Sequence, residues 1–211
     1  MAKATQVQIA YEKLRMMIIT EKVGNNGTLS EQEIAEEFGM SRTPVREAFR
    51  RLHHEGLIEI IPHKRTYVRQ LSSIEVIHNY ELAEALEGMI VYLTTPNLSD
   101  QDVKELQHYV DEMDRAQAAH DVEYWIKLDE AFHDLIIDRC ENKILGEQRR
   151  LLQGQIFRSR MLKTMPWLDK KISNEEHKKI LSAMRRGDAE LARTEIHRHW
   201  QRVRAEYRKL L

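Results

Sequence analysis

Among 211 residues there is one cysteine, Cys140, with four prolines and eight glycines. A single thiol can neither close an internal disulfide nor build a zinc knuckle, which fits a reducing compartment, and Cys140 reads as a structural residue at a helix end. Without Pro- or Gly-rich tracts, collagen-like and low-complexity classes are excluded. Apolar runs are far shorter than a bilayer, and the N-terminal Met-Ala-Lys-Ala-Thr-Gln lacks the apolar core of a signal peptide. No membrane is expected as a partner, and the expected location is the cytoplasm. No HExxH, Ser-His-Asp arrangement or Gly-rich phosphate loop is present, so the chain is not expected to be an enzyme.

What is present is ordinary for a globular protein: 42% hydrophobic and 32% charged residues, enough for one large or two small domains. The net charge of -1 conceals an asymmetry. Residues 40–70 carry seven Lys/Arg against three Asp/Glu, a local positive patch suited to a polyanion.

That patch coincides with a helix predicted from Ser41 to Gly56. Val45, Phe49 and Leu52 fall on one stripe, while Arg42, Arg46 and Arg50 fall on another, so one face packs and the other offers cations in a row. Ser41 is the predicted N-cap, Pro44 sits harmlessly in the first turn, and Gly56 ends the helix. Upstream, Ser30 and Glu33 form a capping-box pattern ahead of Ile34, Ala35 and Phe38, and Gly39-Met40 turns the chain. Two short helices across a Gly turn make a helix-turn-helix, whose second helix enters the major groove. Residues 57–61 and 66–69 read as strands around Pro62-His63-Lys64-Arg65, a basic wing placed to meet phosphate. A first helix carrying Val7, Ala10, Leu14, Met17 and Ile18 covers the apolar side.

Beyond a polar junction in which Ser73 is the predicted N-cap, no further strand is expected. Helices are predicted over 73–94, 99–119, 121–139, 142–164, 169–186 and 188–210, separated by caps, Pro or Gly. The fold class is mostly α: a winged helix-turn-helix over residues 1–72 and an antiparallel six-helix bundle over 73–211.

Inside that bundle a second constellation emerges from helical phase. Asp129 and His133 are one turn apart beside the stripe of Trp125, Leu128, Phe132 and Ile136. His177 shares a stripe with Ile180, Leu181 and Met184, and His199 shares one with Ala192, Ile196 and Val203, whereas His197 is expected to face solvent. Each inward histidine taken alone fits a hydrogen-bonded core residue. Four polar groups from three helices are costly to bury without a common partner, and a divalent cation would satisfy them all. Nitrogen and oxygen ligands without thiolate suit zinc, nickel, manganese or iron. Glu75-x-x-His78 and Glu130-x-x-His133 superficially match di-iron bundles, but Glu130 points away from the core.

These blocks resemble the GntR superfamily of bacterial transcription regulators, in the branch with a FadR-type C-terminal ligand-binding (FCD) domain. The N-terminal resemblance lies in Leu29-Ser-Glu-Gln-Glu-Ile-Ala35, Ser41-Arg-Thr-Pro-Val-Arg-Glu-Ala48 and Glu55-Gly-Leu-Ile58. The C-terminal one lies in Asp129-x-x-Phe-His133, Asn142, His177-x-x-Ile180, Gly187-Asp188 and His199. The resemblance implies a homodimeric repressor bound to a pseudo-palindromic double-stranded operator through Arg42, Thr43, Arg46 and the wing, with Arg50 on the same face. It further implies that Asp129, His133, His177 and His199 hold a metal beside a pocket for a small carboxylate effector. Two positions depart from the pattern: Arg65 stands where many relatives have Gly at the wing tip, and Ala83 stands where relatives often carry Arg. The effector's cation is therefore expected elsewhere, at Arg139 or Arg158. Residue phase leaves open whether the metal is structural, sensed or effector-ligating.

Overall fold

A computed structural model of the chain describes residues 5–19, 23, 27–61, 65–70, 72–161, 168–209 and 211, with backbone alone at 19 and 157–161. The wing residues His63 and Lys64 lie outside the described residues, as does the side chain of Arg158. Two compact units result: Met1–Val76 with Arg150–Met165, and Ile77–Arg149 with Pro166–Leu211.

In the first unit the order is α1 (Gln6–Ile19), β1 (Thr28–Leu29), α2 (Glu31–Phe38), α3 (Arg42–His54), β2 (Ile58–Ile60) and β3 (Thr66–Val68). The predicted apolar stripes converge: Ala10, Leu14, Ile18, Ile34, Val45, Phe49, Leu52 and Leu57 form one buried core. Val7 of α1 departs from its stripe and is exposed. The turn between α2 and α3 works because Gly39 adopts φ 63°, a left-handed conformation open to glycine, and its N–H reaches the carbonyls of Ala35 and Glu36. Ser30 caps α2 by accepting the Glu33 N–H at 3.4 Å. Ser41 occupies the N-cap of α3 but its side chain makes no capping bond, so the break there is conformational rather than hydrogen-bonded. The sheet is antiparallel in the order β1-β3-β2, with Thr28 opposite Tyr67 and Ile58 opposite Val68. β1 has two residues, too few for alternation to reveal, and the sequence reading missed it.

Among the described residues the remainder is helical: α4 (Ser73–Thr94), a 3-10 turn (Thr95–Asn97), α5 (Asp100–Ala118), α6 (Val122–Asp138), α7 (Lys143–Met161), α8 (Lys170–Arg185) and α9 (Ala189–Arg208). Each start has a chemical cause. Ser99 and Asp102 form a reciprocal capping box, while Asp121, Asp169 and Asp188 accept backbone N–H groups of the first turn. α4 is capped one residue earlier than expected. Ser72, not Ser73, accepts the Glu75 N–H at 3.3 Å and gives its own N–H to Glu75 Oε2 at 2.9 Å. α5 packs on α6 and α8, and α8 packs on α9. Trp125, Phe132, Ile180, Ile196 and Trp200 fill the bundle interior, and Cys140 is buried beyond the end of α6. No helix among the described residues is long and apolar enough to cross a membrane.

Candidate metal centre and nucleic-acid interface

α6, α8 and α9 each deliver a histidine to the same point. His133, His177 and His199 are buried, and each offers a ring nitrogen within 4.8 Å of the others. His133 Nε2 and His177 Nε2 lie 3.4 Å apart, and His177 Nε2 lies 3.4 Å from Asp129 Oδ1. About 3.4 Å is the ligand-to-ligand spacing around a tetrahedral ion bonded at about 2.1 Å.

The outer ring nitrogens decide which atoms are available. His133 Nδ1 is 2.7 Å from Glu87 Oε2, and His199 Nδ1 is 2.8 Å from Glu176 Oε2. An ionised carboxylate only accepts, so both Nδ1 atoms carry the proton and both Nε2 lone pairs face inward. His199 Nε2 is buried and has no hydrogen-bond partner among the described residues. Burial holds the His199 pKa below the usual histidine value despite the opposing pull of Glu176, which keeps the ring neutral and fit to ligate. An unmet lone pair beside two further imidazoles and a buried carboxylate fits a divalent cation.

Glu87 organises the layer behind. Its Oε2 also accepts Trp200 Nε1–H at 2.9 Å, and its Oε1 accepts Arg149 Nε–H at 2.5 Å. Burial pushes its pKa up, but the bonds it accepts from His133 and Trp200 and the positive charge of Arg149 prevail, holding it well below the carboxylate range. Glu176 is likewise pushed up by burial and brought below its ordinary value by His199 and Arg202; Arg202 Nε and Nη2 both reach it at 2.7 Å.

The sequence reading named none of Glu87, Arg149, Glu176 and Arg202. A signal existed for two of them. Glu87 interrupts the α4 stripe Tyr80, Ala83, Ile90, Thr94, and Arg149 interrupts the α7 stripe Leu145, Leu152, Ile156; a charge on an apolar stripe is a buried charge in search of a partner. Arg139, expected near an effector, instead donates to Asp102 Oδ1 at 2.6 Å. It lies at the C-cap of α6, six residues or about 9 Å along the axis from His133. His197 is less outward than expected. It is 37% exposed at the side chain with Nδ1 3.6 Å from Glu84, and its ring lies where a Cβ on Gly88 would stand.

In the first unit Arg42, Thr43, Arg46 and Arg50 are all exposed on α3. Glu31 Oε2, at the start of α2, accepts Arg46 Nε–H at 3.1 Å and lies 3.6 Å from Arg42 Nη2. Arg50 pairs with Glu47 on its own helix. Arg65 is exposed where Ile61 N–H closes on its carbonyl at 3.2 Å. A cleft of about 730 Å³ runs between α2 and the wing strands, lined by Glu31, Arg42, Ile60, Arg65 and Thr66 among others.

A winged helix-turn-helix joined to a helical bundle with a buried histidine cluster defines a class of transcription regulator, and comparison with known proteins places the chain within it. Residues 6–68 match the gntR family of bacterial regulatory proteins, and residues 78–202 match the FCD domain. An uncharacterized HTH-type transcriptional regulator in an unstable DNA locus of Streptomyces ambofaciens is 30% identical over 92% of this chain and 81% of its own length. The HTH-type transcriptional repressor RspR of Escherichia coli (strain K12) is 24% identical over 96% and 89%. The solved structure of E. coli McbR/YncC superposes with a TM-score of 0.84 at 23% identity, covering 99% of this chain and all of that one, a likeness of fold. The chain belongs to the GntR family, with an FCD domain, and is a DNA-binding transcription regulator.

Proposed function

We propose that the protein is a cytoplasmic homodimeric repressor of a pseudo-palindromic operator, released or retained by a small carboxylate effector that binds beside a divalent metal. Residues 1–72 read DNA in this scheme, and residues 73–211 bind metal and effector and dimerise. The observation that carries it is the convergence of three imidazole nitrogens within 4.8 Å, one of them an unmet buried lone pair. Asp129, His133, His177 and His199 would hold zinc, nickel, manganese or iron, and the ion would supply open coordination positions to a carboxylate. Glu87 and Glu176 fix the tautomers and orientations of His133 and His199. Repression is supported by the name of the RspR relative.

On the DNA side, Arg42, Thr43, Arg46 and Arg50 present the reading edge of α3, and Arg65, His63 and Lys64 grip the backbone. One such helix contacts too few base pairs for genomic specificity, which calls for two half-sites related by the protein's own two-fold axis. An effector acts only through differential affinity for two arrangements of the dimer.

The test joins elemental analysis of purified protein to operator binding with a panel of small carboxylates. His177→Ala and His199→Ala should lose both the metal and the effector response while retaining operator binding; His197→Ala should do neither. Metal bound at stoichiometry with operator affinity indifferent to every acid would remove the effector. The depth of the site, with all three histidines at most 3% exposed, favours a second reading as a structural metal. Chelation separates the two, because a structural ion takes the fold with it.

A further inference from the structure

We propose that Arg149 is the cation that pairs with the effector's carboxylate, receiving it at Nη1 inside the bundle. This rests on the metal-dependent carboxylate site just described. Arg149 projects inward from α7 with its side chain 4% exposed, and it is the sole lysine or arginine among the described residues to be so buried. Its Nε is committed to Glu87 and its guanidinium carbon lies 5.7 Å from the centre of the Trp200 ring. Its Nη1 is buried and has no acceptor among the described residues. A charged donor left unmet in a low-dielectric interior is costly enough that a native site supplies an acceptor.

Charge balance points the same way. Of the fully buried formal charges, Glu87 and Asp129 stand beside the histidines against Arg149 alone, leaving one negative charge. A divalent ion on neutral histidines turns that into one positive charge, which a single carboxylate cancels and a phosphate dianion overshoots. Geometry supplies the link. Glu87 joins the guanidinium to the outer nitrogen of the His133 ring through its two oxygens, which leaves Arg149 one carboxylate away from a histidine of the cluster. Ala83, buried one turn before Glu87 on the same face of α4, brings no charge of its own.

The experiment uses full-length protein loaded with Zn²⁺ and verified by metal analysis, titrated calorimetrically with acetate, malonate and succinate, and with acetamide as the neutral control. Wild type should bind at least one acid and not acetamide. Arg149→Gln should keep its Zn²⁺ and lose about tenfold or more in affinity for that acid, the worth of one charge-assisted hydrogen bond. If the single variant folds poorly because Glu87 is left as a lone buried charge, Glu87→Gln/Arg149→Gln removes both charges of that pair, still offers His133 Nδ1 an acceptor and, loaded with Zn²⁺ in excess to offset the weaker metal binding that loss of Glu87 brings, carries the same expectation for the acids. Zn²⁺-loaded variants that bind the acids as wild type does would overturn the role of Arg149 and leave the carboxylate site standing. Loss of Zn²⁺ from both variants would overturn it as well, making Arg149 a support for Glu87 and His133. Zn²⁺-loaded wild type that binds none of the acids would overturn both this assignment and the function it rests on.

Discussion

At Glu87 a buried carboxylate meets His133, Arg149 and Trp200, and its burial is tolerable because each oxygen has a donor. Replacing it by Gln keeps an acceptor for His133 but removes the charge that makes the ring a stronger ligand. Metal affinity in Glu87→Gln, measured by competition with a chelator, should fall about 10- to 100-fold, with DNA binding intact. Asp102 gives a pH prediction of its own. Burial pushes its pKa up, but the bonds from Ser99 and Arg139 bring it below the ordinary value. A folded pKa below the unfolded one stabilises fully above the unfolded value of about 3.9 and is lost as the pH falls through the folded value. The melting temperature of Asp102→Asn should therefore lie below that of wild type at neutral pH, and the gap should close in acid below about pH 4. The inward histidines were legible because phase within one helix is fixed by a 3.6-residue period. Their carboxylate partners were not, since which side chains of α4 and α7 meet α6 and α9 is set by packing between helices.

The helices themselves were largely readable, because breaks such as Gly39, Pro96 and Gly187 and the Asp or Ser caps act locally. The residual errors are those of local chemistry with two equivalent candidates, as at Ser72 and Ser73, or of an element too short to show a period, as at β1. Gly56, expected to end α3, has φ 69°, and a Cβ there would stand 2.6 Å from Gln155 Nε2. Gly56→Ala should destabilise the first unit by about 1–2 kcal/mol from backbone strain alone, read from urea unfolding. An unchanged midpoint would mean that the left-handed turn relaxes at no cost.

For the whole molecule, what matters is how the proposed DNA-reading face behaves over a genome. Arg42→Ala and Arg46→Ala should each cost about 1–3 kcal/mol on the operator and flatten base preference, as bidentate guanine contacts would. Equal losses on random DNA would reassign them to phosphate. Arg65→Gly should lower the salt slope of binding by about one unit at most. Glu31 bears on the same balance in a different way. A carboxylate that holds Arg46 by Nε and sits beside Arg42 is an anion at the proposed contact surface, and it repels every phosphate, whether or not the bases beside it are right. Its effect is therefore largest where no base contact offsets it, on the vast excess of irrelevant sequence. Glu31→Gln should tighten binding to random DNA more than to the operator, in competition measured at fixed salt. The regulator would then linger on wrong sites, and the time needed to find its target would lengthen even as its grip on DNA improved.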